Sequence, residues 1–405
     1  MTDADRLPPA TPSDQTLQAP AVSTAAASPP VTHVAMRSRR RGVLAVACVV
    51  VIALAVLIRL INDAPGPVSH TDAVISIAVG KLHGRPIAVS AGRDATVRIW
   101  DLTTKKQVGG LTIEEKAGEP LTGYERIIAV AVGEVDGRPV AVSGGWDGTV
   151  RIWDLVTREQ VGEPLTGHER SVVSVAVGEV KDRPVAVSAS KDGTVRVWDL
   201  ISREQVGEPL TGHAGNVIVV AVGEVEGRPV AVSGGWEGTV RIWDLVTREQ
   251  VGEPLTGHER NIVSVAVGQV DGRPVAVSGG LEGTVRIWDL VTRKQVGEPL
   301  TAHERNIGSV AIGQVDGRPI AVSGGMDRML RVWDLSTGEQ VGEPLTGHER
   351  AVNSIAVGQV DGRPIAVSGG EDRTLRVWDL TTGEQVGEPL VGYEDSVVSI
   401  DEPAE

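Results

Sequence analysis

The chain has 405 residues, 39 basic against 53 acidic, for a formal net charge of −14. Removing Met1–Asp63, which holds six basic and four acidic residues, leaves a body at −16 with no general attraction for nucleic acid phosphates. The single cysteine, Cys48, excludes an intrachain disulfide and a Cys-based zinc site, and the absence of Phe beside abundant Val, Ile, Leu and Ala points to an aliphatic, β-branched core.

Met1–Met36 is rich in Pro, Ala, Ser and Thr, carries only Asp3, Asp5, Arg6 and Asp14 as charges, and shows no apolar periodicity. Such a segment cannot bury enough surface to offset its ordering entropy. With the basic cluster Arg37-Ser38-Arg39-Arg40-Arg41 it predicts a disordered cytoplasmic tail over residues 1–41. The apolar run that follows, residues 42–61 with Arg59 near its end, is long enough for one transmembrane helix if Arg59 snorkels to the interface. Basic residues before the span place the amino terminus in the cytoplasm and the rest outside it, in a cell membrane. Ser38-Arg39-Arg40 also resembles a twin-arginine export signal, but no small-x-small cleavage site follows, and Cys48 lies mid-span without the context of a lipoprotein signal. An uncleaved anchor is the expectation, with a short tether over residues 62–70.

The rest is repetitive. Trp-Asp recurs at Trp100, Trp153, Trp198, Trp243, Trp288, Trp333 and Trp378, the last five intervals being 45 residues and the first 53, with an insertion around Gly110–Ala117. Gly148–Arg170 and Gly238–Arg260 are identical over 23 residues. In the unit around Trp198, Val172–Val177 and Pro184–Ser188 read as apolar strands separated by a turn at Gly178–Arg183. Lys191-Asp192-Gly193 reads as a tight turn, Thr194–Leu200 as a third strand and Glu204–Pro209 as a fourth. A four-stranded meander apolar on both faces needs packing on both sides, which radial stacking into a ring supplies.

The period near 45, the Gly-His dipeptide and the closing Trp-Asp resemble the WD-repeat β-propeller family, here as a bacterial, membrane-anchored member. The resemblance implies an all-β, seven-bladed propeller over residues 71–392, with 393–405 as a stub of an eighth repeat. It also implies a structural tetrad in each blade: His70, Ser90, Asp94 and Trp100; His168, Ser188, Asp192 and Trp198; His303, Ser323, Asp327 and Trp333; His348, Ser368, Asp372 and Trp378. Blades four and five place Glu at the acid position, giving His213, Ser233, Glu237 and Trp243, then His258, Ser278, Glu282 and Trp288. The longer side chain must bend to reach the imidazole. Blade two has Ser143, Asp147 and Trp153 with Tyr124 in place of His, which predicts an incomplete set and a less stable blade. Closure is expected through the outer strand Glu384–Val391, since only Gly66–Ser69 precedes the first blade.

Ser, His and Asp at fixed spacing invite a hydrolase reading, but six near-copies argue for buried structure, and no nucleophile elbow, phosphate loop or His-x-x-x-His pair occurs. No catalytic residue, cofactor or metal is expected. Two positions differ enough to carry recognition. The residue before the tetrad acid reads Arg93, Trp146, Lys191, Trp236, Leu281, Met326 and Glu371, and the two Trp with Leu and Met suggest an apolar recognition patch on the expected turn face. On that face also fall Arg126, Arg170, Arg260, Arg305 and Arg350, each after a Glu that is expected to compensate much of its charge. On the opposite face Arg85, Arg138, Arg183, Arg228, Arg273, Arg318 and Arg363 each precede a Pro and read as turn structure. The resulting expectation is a protein–protein interaction scaffold with protein partners and no nucleic acid. The alternatives are a sensor or signalling adaptor working through a separate effector, and a propeller enzyme whose site lies in the central channel lined by segments such as Val173–Gly178.

Overall fold

The computed structural model describes residues 70, 72–111, 127–301, 303–304 and 306–390. All belong to Pro65–Glu405, the second of the two units into which the chain divides. The expected tail, the span at 42–61, most of the tether and the stub at 393–405 lie outside the described residues. Among the described residues no helix is long and apolar enough to cross a membrane.

Seven antiparallel sheets follow one another, each starting from an inner strand: Val74–Leu82, Ile127–Val135, Val172–Val180, Val217–Val225, Ile262–Val270, Ile307–Val315 and Val352–Val360. Within a sheet the strands pair in chain order. In blade three, Val172–Val180 pairs with Arg183–Ser190, which pairs with Val195–Asp199, which pairs with Glu204–Gln205. The inner strand is thus longer than the sequence suggests, and the turn is only Lys181-Asp182, both with left-handed backbone (φ 51° and 60°). Such two-residue turns match the right-handed twist of the flanking strands. Gly178 belongs to the strand rather than the turn, for a packing reason. A β-carbon there would collide with Val222 of the next blade, and the same holds for Gly80 on Val132, Gly133 on Val177, Gly223 on Val267, Gly268 on Ile312, Gly313 on Val357 and Gly358 on Val79. Blade seven therefore meets blade one as every other pair of neighbours meets, and the ring is closed.

The fourth strand is less uniform than a plain meander. It is continuous in blade one (Lys106–Leu111), five (Lys294–Thr301) and six (Gln340–Thr346). In blades two and seven it is reduced to bridges such as Val150 to Leu165 and Leu375 to Leu390. Its Gly-Glu-Pro segment, with Gly162 at φ 69°, interrupts the ladder. Leu390 is buried with Val74, Trp100, Leu375 and Val377, so the carboxyl-terminal segment seals the joint between blades seven and one. The core lies between blades as seven such clusters, each combining faces of adjacent sheets.

Serines on the inner strands add polar staples between blades. Ser76, Ser174, Ser264, Ser309 and Ser354 accept hydrogen bonds from Val130, Val220, Val310, Ile355 and Ile77 N–H at 2.9–3.1 Å. Sequence reading did not single these residues out.

Candidate functional site

The tetrads hold the turn face together. In blade three the Trp198 indole N–H donates to Ser188 Oγ at 2.8 Å, and His168 Nε2 lies 2.7 Å from the same oxygen. Because the hydroxyl has one hydrogen, it donates to Nε2, and Nδ1 carries the proton given to Asp192 Oδ2 at 2.8 Å. Thr194 Oγ1 supplies a second donor to that carboxylate at 2.7 Å. The serine thus bridges Trp and His, and the hydroxyl on the acid comes from Thr. Burial pushes the Asp192 carboxyl up, but His168 and Thr194 outweigh it and hold the group well below the usual range.

The arrangement repeats around the ring. Ser90 joins His70 to Trp100, Ser323 joins His303 to Trp333, and Ser368 joins His348 to Trp378, all at 2.7–2.8 Å. The acids Asp94, Asp327 and Asp372 take the Nδ1 bond at 2.8–3.1 Å. In blades four and five Glu237 and Glu282 do reach His213 and His258 through Oε1, and Ser233 and Ser278 bridge to Trp243 and Trp288. The cost of the longer chain appears at the other oxygen. Oε2 of both glutamates is buried without a partner. In blade two Trp153 donates to Ser143 at 2.8 Å and Asp147 accepts from Thr149, while Tyr124 lies outside the described residues.

The chemistry open to these groups is limited. Ser188 and its equivalents in blades one and four to seven are fully enclosed, and each oxygen already accepts from an indole. A substrate carbonyl cannot approach, so the relay resembles a hydrolytic triad in connectivity but offers no nucleophile. The channel end of blades five to seven is Val267-Gly268-Gln269, Ile312-Gly313-Gln314 and Val357-Gly358-Gln359, which together line a cavity of about 330 Å³ with amides and aliphatic carbon.

Above the tetrads, the turn between second and third strands sits on the loop entering the same blade. N–H groups of Arg93, Lys191, Trp236, Leu281, Met326 and Glu371 donate to the carbonyls of Ala73, Ser171, Asn216, Asn261, Asn306 and Ala351 at 2.9–3.1 Å. Ser171 Oγ in turn donates to the Trp146 carbonyl at 3.3 Å, tying blade three to blade two. The backbone is committed and the side chains project. Trp146, Trp236 and Met326 are 46%, 56% and 48% exposed, whereas Leu281 is half-buried. Lys191 Nζ lies 5.3 Å from the Trp146 ring centre. Met326, Arg350 and Glu371 line one cavity of about 570 Å³ on this face. Arg170, Arg260 and Arg350 are exposed; Arg126 and Arg305 lie outside the described residues. The N–H groups of Glu169 and Glu349 donate to Asp192 and Asp372 at 3.1 and 3.0 Å, adding a backbone donor to each tetrad acid.

Two further sets of contacts escaped sequence reading, the first of them made in part by the arginines it had read as turn structure. The acid of the Trp-Asp dipeptide caps the next turn: Asp199 Oδ1 accepts from Ile201 and Ser202 N–H, and Arg183 pairs with Oδ2 at 2.7 Å. Arg85, Arg138 and Arg228 face Asp101, Asp154 and Asp244 as ion pairs at 3.8, 3.6 and 2.8 Å, so these four solvent-exposed arginines stand beside the acid that caps the next turn. Burial raises the Asp199 carboxyl, but the two N–H donors and Arg183 bring it below its usual value. Arg151, Arg331 and Arg376 donate to Gln160, Gln340 and Gln385 at 2.7–3.1 Å, locking third strand to fourth. The signal for both sets was their recurrence in every repeat.

Comparison with known proteins agrees with this geometry. The family described as WD domain, G-beta repeat matches residues 67–101, 126–154, 159–199, 204–244, 249–289, 293–334 and 338–379. Among curated relatives, the small ribosomal subunit protein RACK1z of Oryza sativa subsp. japonica is 39% identical over 92 residues, 22% of this chain and 27% of that protein. The protein of the same name from Arabidopsis thaliana is 38% identical over 87 residues, covering 22% and 24%. RACK1 of Dictyostelium discoideum is 38% identical over 88 residues, covering 22% and 25%. The matched segments span about a quarter of these relatives, none of which is bacterial. With seven matched repeats on seven closed blades, the chain belongs to the WD-repeat family.

Proposed function

We propose that this protein is a membrane-anchored, non-catalytic scaffold for protein–protein contacts, and that its binding face is the turn side bearing Trp146, Trp236, Leu281 and Met326. One observation carries the reading. At a position where the repeats are otherwise nearly identical, two tryptophans and a methionine stand about half exposed on one face, where other blades carry Arg93, Lys191 and Glu371. Kinship with ribosomal subunit proteins raises contact with a ribosome, but a body at −16 repels phosphates, which favours a protein surface. The chain enters the first inner strand at Val74, which pairs with Gly92 beside the turn at Arg93, so it joins the ring on this face. The tether from about residue 61 is short, reaching at most about 35 Å, and favours a partner in or beside the membrane.

Changing Trp146 and Trp236 together to Ser tests the face, with partners crosslinked and recovered from membranes. The expected result is loss of the partner with an unchanged melting temperature. Undiminished recovery from the folded double variant rejects the site. Protease protection on intact cells tests the anchor, since a propeller shielded until lysis rejects the outward orientation.

A further inference from the structure

Every third strand ends in Trp-Asp and turns into the outer strand through one residue of left-handed backbone, whose N–H donates to the Asp carbonyl at 2.7–2.9 Å. Blades one to five place Lys105, Arg158, Arg203, Arg248 and Arg293 there, at φ 57–66°. Blades six and seven place Gly338 and Gly383, both at φ 76°. Glycine adopts that backbone without strain and a long basic side chain does not. Five basic residues at a position the same fold fills with glycine need a use for the side chain.

The use is visible on the neighbouring blade. A β-carbon on Gly162 or Gly207 would collide with the guanidinium of Arg203 or Arg248; one on Gly252 would lie 2.9 Å from Arg293, and one on Gly387 2.6 Å from Lys105 Nζ. The side chains of Arg203, Arg248, Arg293 and Lys105 thus lie across the glycine of the Gly-Glu-Pro segment in the outer strand of the preceding blade. Beneath them Val161, Val206, Val251 and Val386 are half-buried against the core. At the two joints where the next blade has Gly338 or Gly383, nothing lies within 4 Å of a β-carbon added to Gly297 or Gly342. Val296 and Val341 are left 42% and 46% exposed. The first gap is a cavity of about 470 Å³ lined by Val296, Gly297, Glu298, Leu300, Trp333 and Gly338.

We propose that these two notches, between blades five and six and between blades six and seven, are sockets for arginine side chains on an extended basic segment of a partner protein. The molecule itself shows the occupant, since at four other joints the equivalent space holds a basic side chain of its own, Arg203, Arg248, Arg293 or Lys105. Glu298 and Glu343 stand where Glu163, Glu208 and Glu253 stand at the filled joints, and the acidic body favours a basic ligand. The outer strands Lys294–Thr301 and Gln340–Thr346 are the sheet edges next to the notches, so the partner's backbone can add to them while its arginine fills the gap. This site lies on the circumference and does not depend on the turn face.

The test is calorimetric titration of the full-length chain in detergent with a short extended peptide bearing one central arginine, and with its citrulline counterpart, which keeps the shape and removes the charge. Two peptides should bind per chain, one for each open notch, and citrulline should weaken binding roughly tenfold or more. Gly338→Arg with Gly383→Arg should abolish binding by filling both sockets from within. Arg248→Gly should open a third socket and raise the stoichiometry accordingly, which decides the matter if the glycine variants do not fold. Equal affinity for citrulline, binding that survives the filled sockets, or unchanged stoichiometry in folded Arg248→Gly overturns the proposal. So does loss of the peptide in the Trp146→Ser, Trp236→Ser variant, which would move the site to the turn face.

Discussion

The shared atom of each tetrad is the serine oxygen, which accepts from the indole and donates to the imidazole. Removing Ser188 leaves both His168 Nε2 and Trp198 Nε1 without a partner in a closed site, whereas the described partner of Ser143 is Trp153 alone. Ser188→Ala is therefore expected to cost about 2–3 kcal/mol and Ser143→Ala about half as much, read by denaturant unfolding. Matching losses would mean that Tyr124 replaces the missing histidine in full. Blades four and five carry a correctable defect, since Oε2 of Glu237 and Glu282 is buried and unpaired while both oxygens of Asp327 face His303 at 2.9–3.0 Å. Glu282→Asp should stabilise the protein by about 1 kcal/mol, seen as a raised unfolding midpoint; a lowered midpoint would show that the extra methylene is needed for packing.

The tetrad acids also set the acid limb of stability. Burial raises the Asp372 carboxyl, but His348 and the Thr374 donors outweigh it and hold the group at about 2. A carboxylate depressed in the folded state stabilises it fully above its unfolded value near 4, and that contribution disappears as pH falls toward 2. Asp372→Asn should thus be less stable than the parent by about 2 kcal/mol at pH 7, with the gap closing between pH 4 and 2. Unfolding curves across that range check it, and a gap independent of pH would place the loss in packing instead.

At the scale of elements, the outer strand is the weakest part of each blade and, in blade seven, the most consequential. Val386 and Leu390 N–H groups bond Val377 and Leu375 carbonyls at 2.7 Å, and Leu390 is buried against blade one. Deleting residues 391–405 should leave the melting temperature nearly unchanged. Deleting 384–405 should cost about 3 kcal/mol or more, because it opens a cavity and leaves ladder groups unpaired at the closing joint. Equal damage from the two truncations would contradict closure by this strand.

Across the whole molecule, one inner-strand glycine per blade sets how closely neighbouring blades approach. Gly178→Ala places a methyl group against Val222 Cγ1, and neither blade can retreat without moving its other neighbour. The expected loss is about 1–3 kcal/mol by chemical denaturation. A neutral substitution would show that blades separate by fractions of an ångström at no cost.

Contacts within a blade follow constant offsets in sequence. The serine and acid lie 20 and 24 residues after the histidine and the indole 10 after the serine, in register with two-residue turns. Repetition makes such offsets readable, so the number of repeats and the strand order within each were legible in the residues, and the tetrads followed from the family resemblance those residues carry. Contacts between blades depend on the angle and spacing of sheets about the ring, which no offset within a repeat encodes. Sequence therefore assigned Gly178 to a turn and missed Ser174 as a staple. It could not tell that Arg248 shields the outer strand of blade three while Gly338 leaves that of blade five uncovered. Likewise Trp146 and Trp236 were visible as departures from the repeat, but their exposure was decided by the tertiary structure, which commits their backbone to the entry loops and leaves about half of each side chain in solvent.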